Sequence, residues 1–153
     1  MGRFACALLE HSPRFAVAAA IEREHDLASV LRECGAALGL DFTVAGLGCT
    51  HGRTMLAAGV RPVLGTSGVT QEEASELDRA ARERGLGGLV VPNFSLGMLL
   101  LQRAALALAP HFAGCEIVER HHERKRDAPS GTALDTARRL QDARGAGRAP
   151  VAI

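Results

Sequence analysis

The chain has 153 residues, 47% hydrophobic and 23% charged, with 18 basic and 17 acidic side chains. That length suits one domain or one and a half small ones, and that composition excludes a disordered chain. A formal net charge of +1 argues against a nucleic-acid or membrane-surface protein, which usually carries a basic excess. Among the 18 basic side chains, 17 are Arg and only Lys125 is Lys. There is no Trp or Tyr, and there are five Phe. A composition pushed this far towards Arg makes the surroundings of the single ammonium the first place to look.

The elements follow from hydrophobic periodicity and from turn residues. Residues 15–21 read as a strand that ends at Glu22-Arg23. Residues 27–37 have helical spacing. Residues 38–42 form a short apolar run that closes on Asp41-Phe42-Thr43. Residues 50–58 look helical and stop at Gly59, a glycine suited to a helix C-terminus. Residues 62–64 read as a buried strand, followed by Gly65-Thr66-Ser67-Gly68. Thr70 opens a helix with Glu73 three residues on, the spacing of a capping box, and the helix runs to Arg84 before Gly85. Residues 89–91 are the next strand, ending at Pro92-Asn93. Residues 95–109 form a long apolar helix that stops before Pro110. Residues 116–119 read as a strand leading into His121-His122, and Ser130 caps a last helix from Gly131 to about Ala143. Residues 145–153 read as a loose tail.

Strand and helix alternate, which predicts an α/β fold with a mainly parallel sheet and helices on its faces. Ligands of such sheets sit at the carboxyl ends of the strands. Each predicted strand here ends in polar or Gly-rich residues.

No stretch approaches the roughly 20 apolar residues of a membrane helix. The most apolar helix candidate, residues 98–109, is interrupted by Gln102 and Arg103. Met1-Gly2-Arg3 lacks the layout of a secretory signal. Cys6, Cys34, Cys49 and Cys115 include no CxxC pair, so neither a zinc knuckle nor a redox pair is expected. Four free, mostly buried thiols and a cytoplasmic location are the expectation.

Chemistry concentrates in residues 119–133, which read Glu119-Arg120-His121-His122-Glu123-Arg124-Lys125-Arg126-Asp127-Ala128-Pro129-Ser130-Gly131-Thr132-Ala133. Two histidines and a lysine can donate protons and bind anions. Ser130-Gly131-Thr132 opens a helix, whose first N–H groups bind anions, and Gly131 admits a close approach. The segment therefore offers a carboxylate or phosphate cradle beside an acid–base cluster. The plainer alternative is a solvated charged loop followed by an ordinary Ser cap. A metal site from His121, His122 and Asp127 is disfavoured, because adjacent strand residues point to opposite faces. Nucleic-acid binding through Arg120, Arg124 and Arg126 lacks a nearby stacking aromatic.

This segment resembles the signature of the dihydrodipicolinate reductases, Glu-x-His-His-x-x-Lys-x-Asp-x-Pro-Ser-Gly-Thr-Ala, and every position of it is present. Asp41-Phe42-Thr43, Gly65-Thr66-Ser67-Gly68 and Pro92-Asn93-Phe94-Ser95-Leu96-Gly97 are similar to three further motifs of that family. The resemblance implies an NADPH- or NADH-dependent oxidoreductase of lysine and diaminopimelate synthesis, with a small cyclic unsaturated dicarboxylate as substrate. It implies His121 and Lys125 as proton-donor candidates, His122 as a substrate ligand, and Ser130, Gly131 and Thr132 as holders of a substrate carboxylate. It places Arg3, Glu22, Arg23, Phe42, Gly65, Thr66, Ser67, Asn93 and Phe94 on the cofactor. Glu22 suits a ribose 2′-hydroxyl and Arg23 a 2′-phosphate, so either nucleotide is expected. No metal is expected. The resemblance implies a homotetramer for full-length members, a state not expected of this chain.

The chain also departs from the pattern. Members begin with a strand and a Gly-x-x-Gly-x-x-Gly loop that binds the pyrophosphate. Here Met1-Gly2-Arg3 resembles only the end of that loop, leaving 4–10 as the rest of a first helix. The stretch between Arg23 and Leu38 is shorter than in members, and Val44 stands where they often carry a polar or basic residue. The expectation is a family member short at both ends. Residues 1–94 would be a partial dinucleotide-binding domain, an incomplete Rossmann-like doubly wound sheet. Residues 95–153 would be the start of an α+β substrate domain. Weak or no cofactor binding follows, because the pyrophosphate loop is missing. The alternative function is an inactive remnant serving as a binding or interaction module.

Overall fold

The structure, a computed structural model, describes residues 1–121, 123 and 128–153. The chain forms two compact units, Met1–Val91 and Pro92–Ile153.

The first unit is built on a parallel sheet. Strands β1 (Leu38–Asp41), β2 (Arg61–Leu64) and β3 (Leu89–Val90) lie in that order. Leu38 pairs with Arg61 and Asp41 with Leu64, while Val63 and Leu64 pair with Leu89 and Val90. Parallel neighbours need a crossover, and each crossover is a helix. Helix α3 (Gly48–Ala57) joins β1 to β2, and α4 (Gln71–Glu83) joins β2 to β3. Helices α1 (Gly2–Glu10) and α2 (Leu27–Glu33) precede the sheet.

Local chemistry sets the helix ends. The Asp26 carboxylate accepts from the Ser29 N–H at 2.9 Å and starts α2. Thr70 and Glu73 form the expected reciprocal capping box, with bonds of 3.2 and 2.9 Å. Gly59 follows α3 at φ +78°, a conformation that glycine adopts without steric cost.

Two apolar clusters hold this unit together. Leu56, Leu64, Leu77 and Ala81 join α3, β2 and α4; Leu31, Met55 and Val60 join α2 to α3. Gly52 lets these layers close up. A Cβ there would stand 2.9 Å from Leu77 Cδ2 and 3.1 Å from Leu64 Cδ1.

The expected strand over 15–21 is absent from this sheet, a correction to the sequence reading. Those residues are exposed apart from half-buried Val17. Apolar, β-branched residues fit a strand, but only a hydrogen-bonding neighbour makes one, and none pairs with them among the described residues. β1 is consequently an edge strand, with Leu38 and Leu40 exposed at 50% and 44%.

The second unit contains α5 (Leu96–Leu108), a 3₁₀ turn (Ala109–His111) and α6 (Gly131–Arg144). Ser95 and Ser130 cap the two α-helices through their hydroxyls. Gln102 of α5 donates to Thr136 of α6 at 2.6 Å. Pro110 lies inside the 3₁₀ turn rather than beyond the helical segment.

The expected strand over 116–119 shrinks to one parallel bridge, Glu116 with Ala152. That bridge also corrects the reading of 145–153 as a loose tail. The buried Arg144 guanidinium donates to the carbonyls of Ala149 and Ala113 at 2.8 and 2.6 Å, and Val151 N–H donates to Gln141 at 3.2 Å. A buried guanidinium needs such acceptors, and the tail supplies one of them.

The four cysteines are unpaired, and each is half-buried rather than mostly buried. Among the described residues no helix is long and apolar enough to cross a membrane, and no three metal-ligating side chains cluster.

Candidate active site

In the first unit, the carboxyl ends of β1 and β2 are tied through one buried carboxylate. Asp41 is 2% exposed. Its Oδ1 accepts from Thr43 N–H at 2.7 Å and from the Thr66 hydroxyl at 2.8 Å. Its Oδ2 lies 2.9 Å from His51 Nδ1. An ionised carboxylate only accepts, so Nδ1 carries the hydrogen. Burial opposes ionisation of Asp41. Hydrogen bonds from Thr43, Thr66 and His51 outweigh it and hold the carboxyl below its ordinary 3.8. Gly65 N–H donates to the Asp41 carbonyl at 2.8 Å, which draws 65–67 alongside 41–43. Phe42, Gly65, Thr66 and Ser67 are thus gathered at one sheet edge, with Phe42 half-buried and Ser67 exposed.

The sequence reading named Asp41 only as part of a motif and missed His51. His51 lies ten residues on, in α3, and no periodicity links a strand end to a helix position. The available signal was chemical: a strand-ending Asp buried by its fold must find donors.

Elsewhere in this unit Arg3 Nη2 stands 3.7 Å from Glu22 Oε1, so two cofactor candidates distant in sequence are neighbours. Glu22 N–H donates to His25 Nδ1 at 2.9 Å, and Arg23 is exposed. Helix α1 has no side-chain cap, which leaves its first N–H groups open beside Arg3.

In the second unit, Ser130 organises the start of α6. Its Oγ accepts from Ala133 N–H at 3.1 Å. The Glu119 carboxylate accepts from Ser130 N–H at 2.8 Å and from the Ser130 hydroxyl at 2.5 Å. Glu119 Oε2 also lies 3.8 Å from His121 Nδ1. His121 and Ser130, nine positions apart, therefore flank one carboxylate, Ser130 bonded to it and His121 beyond hydrogen-bond reach. Glu119, His121 and Pro129 line an open cleft of about 600 Å³ together with Val118 and Ile153. Among the described residues, a Cβ built on Gly131 would meet nothing within 4 Å.

Asn93 bridges the two helix starts. Its Nδ2 donates to the Thr132 hydroxyl at 3.3 Å, and its Oδ1 accepts from Ser95 N–H at 2.7 Å. Asn93 and Thr132, expected on cofactor and substrate respectively, touch each other. Phe94 is exposed. His122 and Lys125 lie outside the described residues, as do Arg124, Arg126 and Asp127. The described part of this site can bind an anion at a helix start and hold an imidazole beside it.

Comparison with known proteins converges on one family. Residues 1–94 match the sequence model of the dihydrodipicolinate reductase N-terminus, and residues 94–153 match that of its C-terminus. A 4-hydroxy-tetrahydrodipicolinate reductase of Legionella pneumophila (strain Lens) is 38% identical over 144 residues, covering 94% of this chain and 59% of the relative. Another from Geobacillus kaustophilus is 35% identical over 164 residues, covering 94% of this chain and 62% of the relative. Among solved structures, a dipicolinate-bound dihydrodipicolinate reductase from Paenisporosarcina sp. TG-14 superposes with a TM-score of 0.64 at 34% identity. That match covers 92% of this chain and 53% of the other. The chain spans less than two-thirds of these relatives' length. With its residues 1–94 and 94–153 matched by the two family models, the chain belongs to the dihydrodipicolinate reductase family.

Proposed function

We propose that this chain carries the chemistry of a 4-hydroxy-tetrahydrodipicolinate reductase: NAD(P)H-dependent reduction of a cyclic unsaturated dicarboxylate, a step of lysine and diaminopimelate synthesis. The observation that carries the reading is the start of α6. There the signature segment brings His121 and the Ser130-Gly131-Thr132 turn to one carboxylate, beneath open space at Gly131. A helix N-terminus with exposed N–H groups favours a carboxylate ligand.

Residues 95–153 act as the substrate side. Gly131 and Thr132 receive a substrate carboxylate, Ser130 shapes the turn, and His122 adds a further ligand. His121 or Lys125 supplies the proton. Lysine suits that role where arginine does not, because a guanidinium stays protonated. The ammonium also complements a dianionic substrate.

Residues 1–94 act as the nucleotide side. The residues present fit such a group. The uncapped start of α1 beside Arg3 suits a phosphate, and Glu22 and Arg23 suit a ribose or its phosphate. Phe42, Gly65, Thr66 and Ser67 would lie along the nicotinamide, with Asn93 and Phe94 shaping its pocket. When bound, the dihydropyridine nucleotide supplies the hydride. Cytoplasmic location belongs to the same reading.

The test is binding of dipicolinate by the 153-residue chain, followed by nucleotide oxidation in parent and Lys125→Ala. Dipicolinate binding and a fall in kcat of at least about a hundredfold are expected, the scale of a general acid. Near-normal turnover by the variant removes Lys125 from the mechanism. A chain that neither binds dipicolinate nor oxidises NADPH or NADH refutes the proposal.

A further inference from the structure

Glu119 opens the signature segment, and the reductase reading gives it no task. We propose that Glu119 is a positioning residue for the carboxylate-binding turn: it latches Ser130 so that the N–H groups of Gly131 and Thr132 are left for the ligand. The inference rests on the reductase reading and deepens it.

The donors at the start of α6 can be followed one by one. Ser130 N–H goes to Glu119 Oε1 at 2.8 Å. Ala133 N–H goes to Ser130 Oγ at 3.1 Å, and Leu134 N–H to the Ser130 carbonyl at 3.0 Å. Gly131 and Thr132 N–H have no partner among the described residues. The Thr132 hydroxyl accepts from Asn93 and keeps its own hydrogen to donate. The open donors are therefore two N–H groups and one hydroxyl, with clear space over Gly131.

Ser130 cannot be a free ligand donor in this state. Its N–H and its hydroxyl are both taken by one carboxylate, and it is 7% exposed. Charge-assisted bonds of this kind are the strong ones. With its hydrogen committed to Glu119, the Ser130 oxygen presents its lone pairs to Ala133 N–H and fixes the first turn. The same carboxylate stands 3.8 Å from His121 Nδ1, beyond hydrogen-bond reach, so the imidazole is its neighbour and Ser130 is the residue it holds.

A competing account is that Glu119 merely stands in for the ligand's carboxylate. The two accounts predict opposite signs. Removing a stand-in anion tightens dipicolinate binding, whereas removing a latch weakens it.

The experiment measures dipicolinate affinity by calorimetry for the parent chain, Glu119→Ala and Glu119→Gln, with amide hydrogen exchange at Ser130 read in parallel. Glu119→Ala should weaken dipicolinate by about tenfold or more and speed Ser130 exchange by at least about tenfold, while Leu64 exchange stays unchanged. Glu119→Gln keeps an acceptor for Ser130 N–H and should stay within about threefold of the parent. A residue that only supports the fold would lower the melting temperature without changing the affinity of the folded protein. Should Glu119→Ala fail to fold, Glu119→Asp is too short to span both Ser130 donors and should show the same losses. Equal or tighter dipicolinate binding by the Ala variant overturns the inference, and so does unchanged Ser130 exchange. If Ser130 exchange responds but the parent binds no dipicolinate, the reductase reading fails, and the substrate half of the inference fails with it.

Discussion

Asp41→Asn isolates the charge at the junction of β1 and β2. The side chain keeps its shape and remains 2% exposed. Its oxygen can still accept from Thr43 N–H and from the Thr66 hydroxyl, bonds of 2.7 and 2.8 Å. Its new amide faces His51 Nδ1 at 2.9 Å, where the native carboxylate accepts, so the imidazole must change tautomer. Hydrogen bonds to a charged group contribute about 1.5–3 kcal/mol each and neutral ones about 0.5–1.5. Weakening two such bonds and rearranging a third loses about 3 kcal/mol. Relief from burying a charge returns some of it, which leaves a net cost of about 2 kcal/mol. In urea denaturation with a slope of about 2 kcal/mol/M, the midpoint falls by about 1 M at pH 7.

The pH dependence gives the argument its sign. Asp41 has its folded pKa depressed, so its contribution is complete above the ordinary 3.8 and is lost as pH falls through the lower folded value. The gap between parent and variant should therefore close below pH 3.8. Equal midpoints at pH 7, or a gap undiminished well below pH 3.8, would refute the reasoning.

Two further substitutions probe packing and site separately. Leu64 is 0% exposed between α3 and α4, so Leu64→Ala should cost about 2–5 kcal/mol, read as a lower urea midpoint. A loss under about 1 kcal/mol would mean that this cluster is not the core of its unit. Gly131→Ala meets no atom within 4 Å, so stability should change by less than about 1 kcal/mol. The methyl group fills the space above the turn, and dipicolinate affinity should drop at least about tenfold. Unaltered affinity would remove Gly131 from the ligand's path.

Local chemistry was legible wherever it is self-contained. Thr70 and Glu73 are three residues apart, and their capping box needs nothing beyond one helical turn. Ser95 and Ser130 cap their helices in the same way. The apolar runs at 38–42, 62–64 and 89–91 became β1, β2 and β3 nearly in place. The runs at 15–21 and 116–119 carried the same composition without a neighbouring strand to accept their hydrogen bonds. One stayed irregular and, apart from Val17, exposed, and the other kept a single bridge.

The site divides along the same line. Composition marked Lys125, and spacing marked the segment around it, because a motif is a linear record of residue types. The working geometry depends on pairs the chain order does not join. Asp41 meets Thr66 across 25 positions and His51 across ten. Glu119 meets Ser130 across eleven, and Arg144 meets Ala113 across 31. In each pair at least one polar group, Asp41, Ser130 or Arg144, is removed from water, and a buried donor or acceptor takes whichever partner the packing brings within about 3 Å. The sequence by itself determined the family, the helix caps and the residue types of the site. Only the tertiary structure decided which carboxylate holds which turn, since that choice follows from what burial leaves in reach.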